Sequence, residues 1–473
     1  MSVLLPLARV CRRFNDIAAE LIYGGFSGRS LRKTEEFGQT IFANPKLANH
    51  VKHLHMGSFT GPCSTDTLTM MERGLRISPA YLHGGSNQSI GIGRITTYIA
   101  CRCPHILSME LAGDIDSMLF VALNAAADHT LSAMHCLSQL RTLIIAPPKD
   151  QRCGTTHLSA IMKLPSLRKF VLRAGRSRGK AVGVGDLSEE SMKTISRCSD
   201  QTSSIQELIL DGRCLEDRDK ADICILQAIR SCRTLTHFTY QMDFSVDLSS
   251  TSRKRTALLN ALGLHQRTLQ LIEIEDCSMS VRMPADGSQA LRGLEEFNQL
   301  TTLALSSSTI FGASSLGLQV GDILPPRLQC LQLQYDDPTD PSGDNNFLKI
   351  LRACIMNLSS LKEVHVSCRL APFVNSGRLP LHFRHLERAF IAEGVVFTYS
   401  IEYIQGCLMC TERVAKNLQT LVASGPDGRE IARHCYGLSL CGISCYDAHV
   451  SILDTEQLYL SSWDGVKGLI DMH

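Results

Sequence analysis

Leu140-Arg141-Thr142-Leu143-Ile144-Ile145 is the stretch that decides how this chain folds. Its apolar-x-x-apolar-x-apolar pattern alternates over the last residues, which makes a short strand with two unlike faces. The same hexad returns as Leu167-Arg-Lys-Phe-Val-Leu172, Ile205-Gln-Glu-Leu-Ile-Leu210, Leu235-Thr-His-Phe-Thr-Tyr240 and Leu269-Gln-Leu-Ile-Glu-Ile274. Leu300-Thr-Thr-Leu-Ala-Leu305, Leu328-Gln-Cys-Leu-Gln-Leu333 and Leu361-Lys-Glu-Val-His-Val366 continue the series. Weaker copies stand at Val51–Met56, Ile106–Leu111 and Leu386–Ile391. A fixed hexad repeated about every 30 residues is the mark of an array whose units cannot bury their apolar edges alone.

From Met109 the central apolar residues are Leu143, Phe170, Leu208, Phe238, Ile272, Leu303, Leu331, Val364 and Ala389. The interval from Leu54 to Met109 is far longer, and a degenerate repeat is expected inside it. Between hexads, Glu189–Cys198, Ile223–Cys232, Arg255–His265 and Asn346–Cys354 set apolar residues three or four apart, the spacing of a helix packed on one side. Asp186 or Ser188 is placed to cap the first of these. Strand, turn and helix per unit predict an α/β solenoid with parallel strands on a concave face and helices on the convex one. An ordinary α/β domain also alternates strands and helices. The recurring apolar residue three before the central one favours the solenoid.

With 473 residues the chain exceeds one ordinary core. Its 44% hydrophobic and 20% charged residues suit a folded protein. A net charge of +2 and only 6% aromatics exclude the footprint of a nucleic-acid binder. No apolar run reaches the ~18 residues of a membrane span, and Met1–Ala8 lacks the charged start of a signal peptide. The expected location is therefore the cytoplasm, the nucleus or both, with the 19 cysteines reduced and serving mainly as small buried hydrophobes.

The hexads and their helical returns, above all Ala257-Leu-Leu-Asn-Ala-Leu-Gly-Leu-His-Gln-Arg-Thr-Leu-Gln-Leu-Ile-Glu-Ile274, resemble the leucine-rich repeats of fungal F-box/leucine-rich-repeat proteins. At the N-terminus Leu4-Leu-Pro-Leu-Ala-Arg-Val-Cys-Arg-Arg-Phe-Asn-Asp-Ile-Ala-Ala-Glu-Leu-Ile-Tyr23 resembles the second half of an F-box. Independently, Leu7, Val10, Phe14, Ile17 and Leu21 fall on one face of a helical path. The resemblance implies that Leu7, Val10, Cys11 and Phe14 belong to the F-box core or to its face for the Skp adaptor of a cullin ubiquitin ligase. The family's first half is not found before residue 4, so the native chain either starts further upstream or has lost it. On this reading residues 1–30 are a partial F-box-like helical segment, 45–395 a leucine-rich-repeat-like solenoid, and 396–473 a degenerate cap or tail. The function implied is a non-catalytic substrate-recognition adaptor of an SCF-type ligase. The alternative is a free-standing scaffold that binds a protein without ubiquitin chemistry.

Residues between the consensus positions are expected to line the concave face and touch the substrate protein: Lys169, Val171, Arg173, Glu207, Ile209, His237, Glu273, Gln332 and His365. A basic cluster (Arg168, Lys169, Arg173, Arg176, Arg178, Lys180) suits a phosphorylated or acidic peptide, or is a solvated loop. An acidic set (Glu207, Asp211, Glu273, Glu275, Asp276) follows it. No catalytic residue, cofactor or metal site is expected. His50, His53 and His55 lack a completing ligand, and Cys407-Leu-Met-Cys410 lacks a second pair. Gly91-Ile-Gly93 lacks the third glycine of a dinucleotide fingerprint.

Overall fold

The computed structural model describes residues 12–57, 63–75, 90–113, 117–128, 137–147, 155–173, 200–215, 218–242, 257–276, 293–306, 324–335, 351, 354, 358–370 and 379–403. They fall in two compact units, Met1–Gln241 with Ala257–Leu269, and Met242–Thr256 with Gln270–His473. In the first, helix α1 (Arg12–Tyr23) leads into β1 (Gly25–Gly28), α2 (Leu31–Ala43), the single turn α3 (Pro45–Ala48) and β2 (His53–Met56). Then follow α4 (Thr65–Leu75), α5 (Ile90–Arg102), β3 (Ser108–Ala112), α6 (Ser117–Asp128), β4 (Thr142–Ala146) and α7 (Thr155–Met162). The strands β5 (Lys169–Leu172) and β6 (Glu207–Asp211), α8 (Arg218–Ser231) and β7 (His237–Met242) complete its labelled elements. The second unit holds β8 (Leu271–Asp276), β9 (Thr302–Ser306), β10 (Cys330–Tyr335), β11 (Glu363–Leu370), α9 (Leu379–Ala392) and β12 (Val396–Tyr403).

Every strand runs parallel to its neighbours and in chain order, β1 to β7 in the first unit and β8 to β12 in the second. The fold is the α/β, leucine-rich-repeat-like solenoid architecture that the hexads predict. Register carries the pattern. Leu54, Met109, Leu143, Phe170, Leu208 and Phe238 stand side by side in one row. Each is 1% exposed or less. In the second unit Ile272, Leu303, Leu331, Val364 and Phe397 form the equivalent row. Fully burying such a side chain contributes about 1.5–3 kcal/mol, so the rows hold the strands in register.

A backbone device repeats with them. At the starts of β2 to β7 and of β9 to β11 two consecutive amides donate to one carbonyl at the start of the strand before. Lys52 and His53 share Gly24, Leu107 and Ser108 share Lys52, Arg141 and Thr142 share Leu107, and Arg168 and Lys169 share Arg141. The second unit does the same: Thr301 and Thr302 share Gln270, Gln329 and Cys330 share Thr301, and Lys362 and Glu363 share Gln329. Side chains reinforce the step where they can. Thr236 Oγ1 donates to Gln206 O at 3.0 Å and Thr301 Oγ1 to Gln270 O at 3.1 Å.

Three expectations need correction. The long interval between Leu54 and Met109 adds no strand to this sheet between β2 and β3, which pair directly with each other. Its extra length is spent on α4 and α5, tied together where the Tyr98 hydroxyl donates to Glu72 Oε1 at 3.0 Å. The hexad at Leu386–Ile391 is not a strand but lies in α9, where Phe383, Leu386 and Phe390 bury one helical face while Ala389 is exposed. The helix stops at Gly394, whose φ of 75° is the left-handed value that suits glycine. The true strand is β12, with Phe397 stacked on Phe390 at 5.1 Å. Finally, the strand array starts earlier than Val51, at β1, where Phe26 pairs with Leu54 and stacks on Phe37 at 3.8 Å.

Two residues offer direct tests. A Cβ on Gly24 would lie 2.6 Å from the Glu20 carbonyl oxygen. Gly24→Ala is therefore expected to lower unfolding free energy by about 1–3 kcal/mol, measured by urea denaturation. His265 is buried and its Nε2–H donates to Ile229 O at 2.9 Å. Burial pushes the imidazole below its ordinary range. The unfolded chain then binds the proton more tightly, so the stability from neutral His265 is full above about pH 6.5 and declines as pH falls toward the folded value. Between pH 7.5 and 5.5 the native protein should lose more stability than His265→Gln; equal losses would contradict this role.

Candidate binding face of the sheet

Strand alternation sends every second residue away from the buried rows. In the first unit these residues form two rows on the opposite face. One is His53, Ser108, Thr142, Lys169, Glu207 and His237; the other is His55, Glu110, Ile144, Val171, Ile209 and Thr239. Lys169, Val171, Glu207, Ile209 and His237 all stand in these outward rows. Glu273, Gln332 and His365 occupy the corresponding face of the second unit.

Two members of the expected basic cluster, Lys169 and Arg173, are paired with carboxylates. Lys169 Nζ meets Glu207 Oε2 at 2.5 Å across adjacent strands. Arg173, just past β5, reaches back over β4 so that its Nη2 contacts Glu110 Oε1 at 2.6 Å. His55 Nδ1 meets the other oxygen of that carboxylate at 2.9 Å. Glu110 thus carries two partners. It was absent from the sequence-derived set, although its position between Met109 and Leu111 already put it on this face. Asp211, expected among the exposed acids, is buried at 4% exposure.

Between these ion pairs lies an apolar strip. Ile144, Val171 and Ile209 are neighbours in register. The outer two are partly exposed, and Val171, expected to be exposed, is only 7% so. A branched aliphatic stands on each side of it, about 4.8 Å away, and these screen it from water.

The histidines are fixed by hydroxyls. Thr236 spends its one proton on Gln206 O, so its oxygen accepts from His237 Nδ1–H at 2.9 Å. His365 Nδ1 lies 2.8 Å from Thr398 Oγ1 and its Nε2 3.3 Å from Ser400 Oγ. In the second unit Gln332 is exposed, with Nε2 3.8 Å from Cys330 Sγ. Burial pushes the Cys232 and Cys354 thiols up to about 12. Cys63 also rises to about 12, through burial and then its bond to Glu35. Thiols held there are poor nucleophiles.

Among the described residues no group of three could hold a metal ion, and no helix is long and apolar enough to cross a membrane. Leu7, Val10 and Cys11, the cluster's Arg176, Arg178 and Lys180, and Cys407 and Cys410 lie outside the described residues. So does the side chain of Phe14, whose backbone is in α1. No model of a known protein family matches the chain, and no curated protein is significantly similar to it.

The Lys169–Glu207 pair is more than one third exposed on both sides. Solvent screening then limits it to below about 1 kcal/mol. Lys169→Glu, which replaces that attraction with a repulsion, should destabilise by no more than about 2 kcal/mol, and the swap Lys169→Glu/Glu207→Lys should recover the loss. A double-mutant cycle in urea reads both.

Proposed function

We propose that this protein is a non-catalytic recognition subunit that holds a partner protein on the open face of its parallel sheet. The observation that carries the reading is the Ile144–Val171–Ile209 strip bordered by the Lys169–Glu207 and Glu110–Arg173 pairs. An apolar centre with a polar rim is the anatomy of a protein interface.

The finer reading makes it a substrate-recognition adaptor of an SCF-type ubiquitin ligase, with the N-terminal helix docking the Skp adaptor. One face of α1 supports this. Ala18 and Ala19 are buried, whereas Ile17 and Leu21 are 51% and 64% exposed. These two belong to the same apolar stripe as Leu7, Val10 and Phe14, and the described fold leaves them to solvent. The free-standing scaffold draws on a different observation. Glu20 of α1 pairs with Lys52 Nζ at 2.8 Å and accepts from Gly24 N, which suits a helix serving as a cap.

Purified Skp adaptor separates the two. The ligase reading expects the full chain to retain it, and Ile17→Asp/Leu21→Asp to lose it by tenfold or more while circular dichroism stays native. No retention by the unmodified chain would leave the scaffold.

A further inference from the structure

Among the described residues the strand array ends at β12, and no strand pairs with its far side. Val396 N donates to Lys362 O at 2.8 Å, so the register turns the amides of Thr398 and Ser400 to β11 as well. By the same alternation the amides of Phe397 and Tyr399 point away from β11, to the open side. Two apolar side chains of the last helix and strand are also left to solvent, Ile391 at 61% and Val396 at 58% exposure. Tyr399 is half-buried, although Leu305, Leu333 and Val366, which precede it in its row, are each 2% exposed or less. A solenoid must close such an end, because an open strand edge invites pairing.

Beyond β12 the sequence repeats the hexad once more. Leu418-Gln-Thr-Leu-Val-Ala423 carries the one Leu-x-x-Leu of residues 404–473, with polar residues inside it as in Leu300-Thr-Thr-Leu303. We infer that this hexad closes the open edge as a further parallel strand, so that the chain caps itself. Aligned on its central residue, Leu421 comes beside Phe397 and extends the Leu331–Val364–Phe397 row. Thr420 then comes beside Val396, Val422 beside Thr398 and Ala423 beside Tyr399. The shared-carbonyl step has its acceptor ready. Val395 holds the position of Gln329 and Lys362 in their repeats, and among the described residues no backbone amide donates to its carbonyl. Gln419 and Thr420 supply the two amides, while Thr420 O and Val422 O accept from Phe397 N and Tyr399 N. The chain is long enough. Residues 404–417 must return over β12, about 26 Å for its 8 residues. About ten residues of helix and four of extended chain together span about 28 Å. Ile404, Cys407, Cys410 and Val414 are three or four apart, the spacing that such a helix needs.

Amide exchange on the full chain, read residue by residue, tests the pairing. The amides of Phe397, Tyr399, Thr420 and Val422 are expected to exchange at least about 100-fold slower than in an unstructured peptide, at every protein concentration. Leu418→Asp/Leu421→Asp should return Phe397 and Tyr399 to fast exchange, while Thr398 and Ser400, held by β11, stay slow. Thr420→Pro removes the amide that meets Val395 O but keeps every apolar residue, and it should do the same. Fast exchange of Phe397 and Tyr399 in the unmodified chain would overturn the inference. So would protection that survives both variants, which means that another segment covers the edge. Protection that grows only with concentration assigns the edge to a second copy and overturns it too. Should the variants free Thr398 and Ser400 as well, the unmodified chain decides: slow Thr420 and Val422 amides support the strand, and fast ones overturn it.

Discussion

Two amides sharing one carbonyl at the starts of β2 to β7 and of β9 to β11 is the contact on which the rest depends. Gly24, Lys52, Leu107, Arg141 and Arg168 each supply that carbonyl in turn, and Gln270, Thr301 and Gln329 do so in the second unit. Because the bond is between backbones, it tolerates any side chain at the acceptor position, from glycine to arginine. It sets which residue of one strand lies beside which residue of the next. Parallel pairing then places equivalent positions in rows, and one buried row converts the register into hydrophobic free energy. The returns between strands can differ in length without disturbing either. Among the described residues a pair of helices between β2 and β3 and a single one between β11 and β12 serve equally well.

The same constraint produces the outward face of the sheet. Once Leu143, Phe170 and Leu208 point inward, Ile144, Val171 and Ile209 must point outward and align. The ion pairs bordering this aliphatic strip hold charge beside it without presenting a strong field.

The strand rows were legible in the sequence because each one needs an apolar residue at every second position and another three before. β1 escaped because Gly25-Phe-Ser-Gly28 carries one large apolar residue, and flanking glycines read as a turn. Leu386–Ile391 misled because its hexad also satisfies helical spacing through Phe383, Leu386 and Phe390. Parity gave the outward residues, including Lys169, Glu207 and His237. It did not give their pairing. The reach of Arg173 over β4 to Glu110 depends on side-chain length and strand spacing, which no local pattern encodes.

Residue-resolved amide hydrogen exchange tests the central claim most directly. Both members of each sharing pair, such as Arg141 and Thr142 or Arg168 and Lys169, should exchange as slowly as the strand interiors that follow them. Lys52 and His53 should be protected likewise, since Gly24 serves them in the same way. Fast exchange at these paired amides, with protection confined to the helices, would contradict a register built on the shared carbonyls.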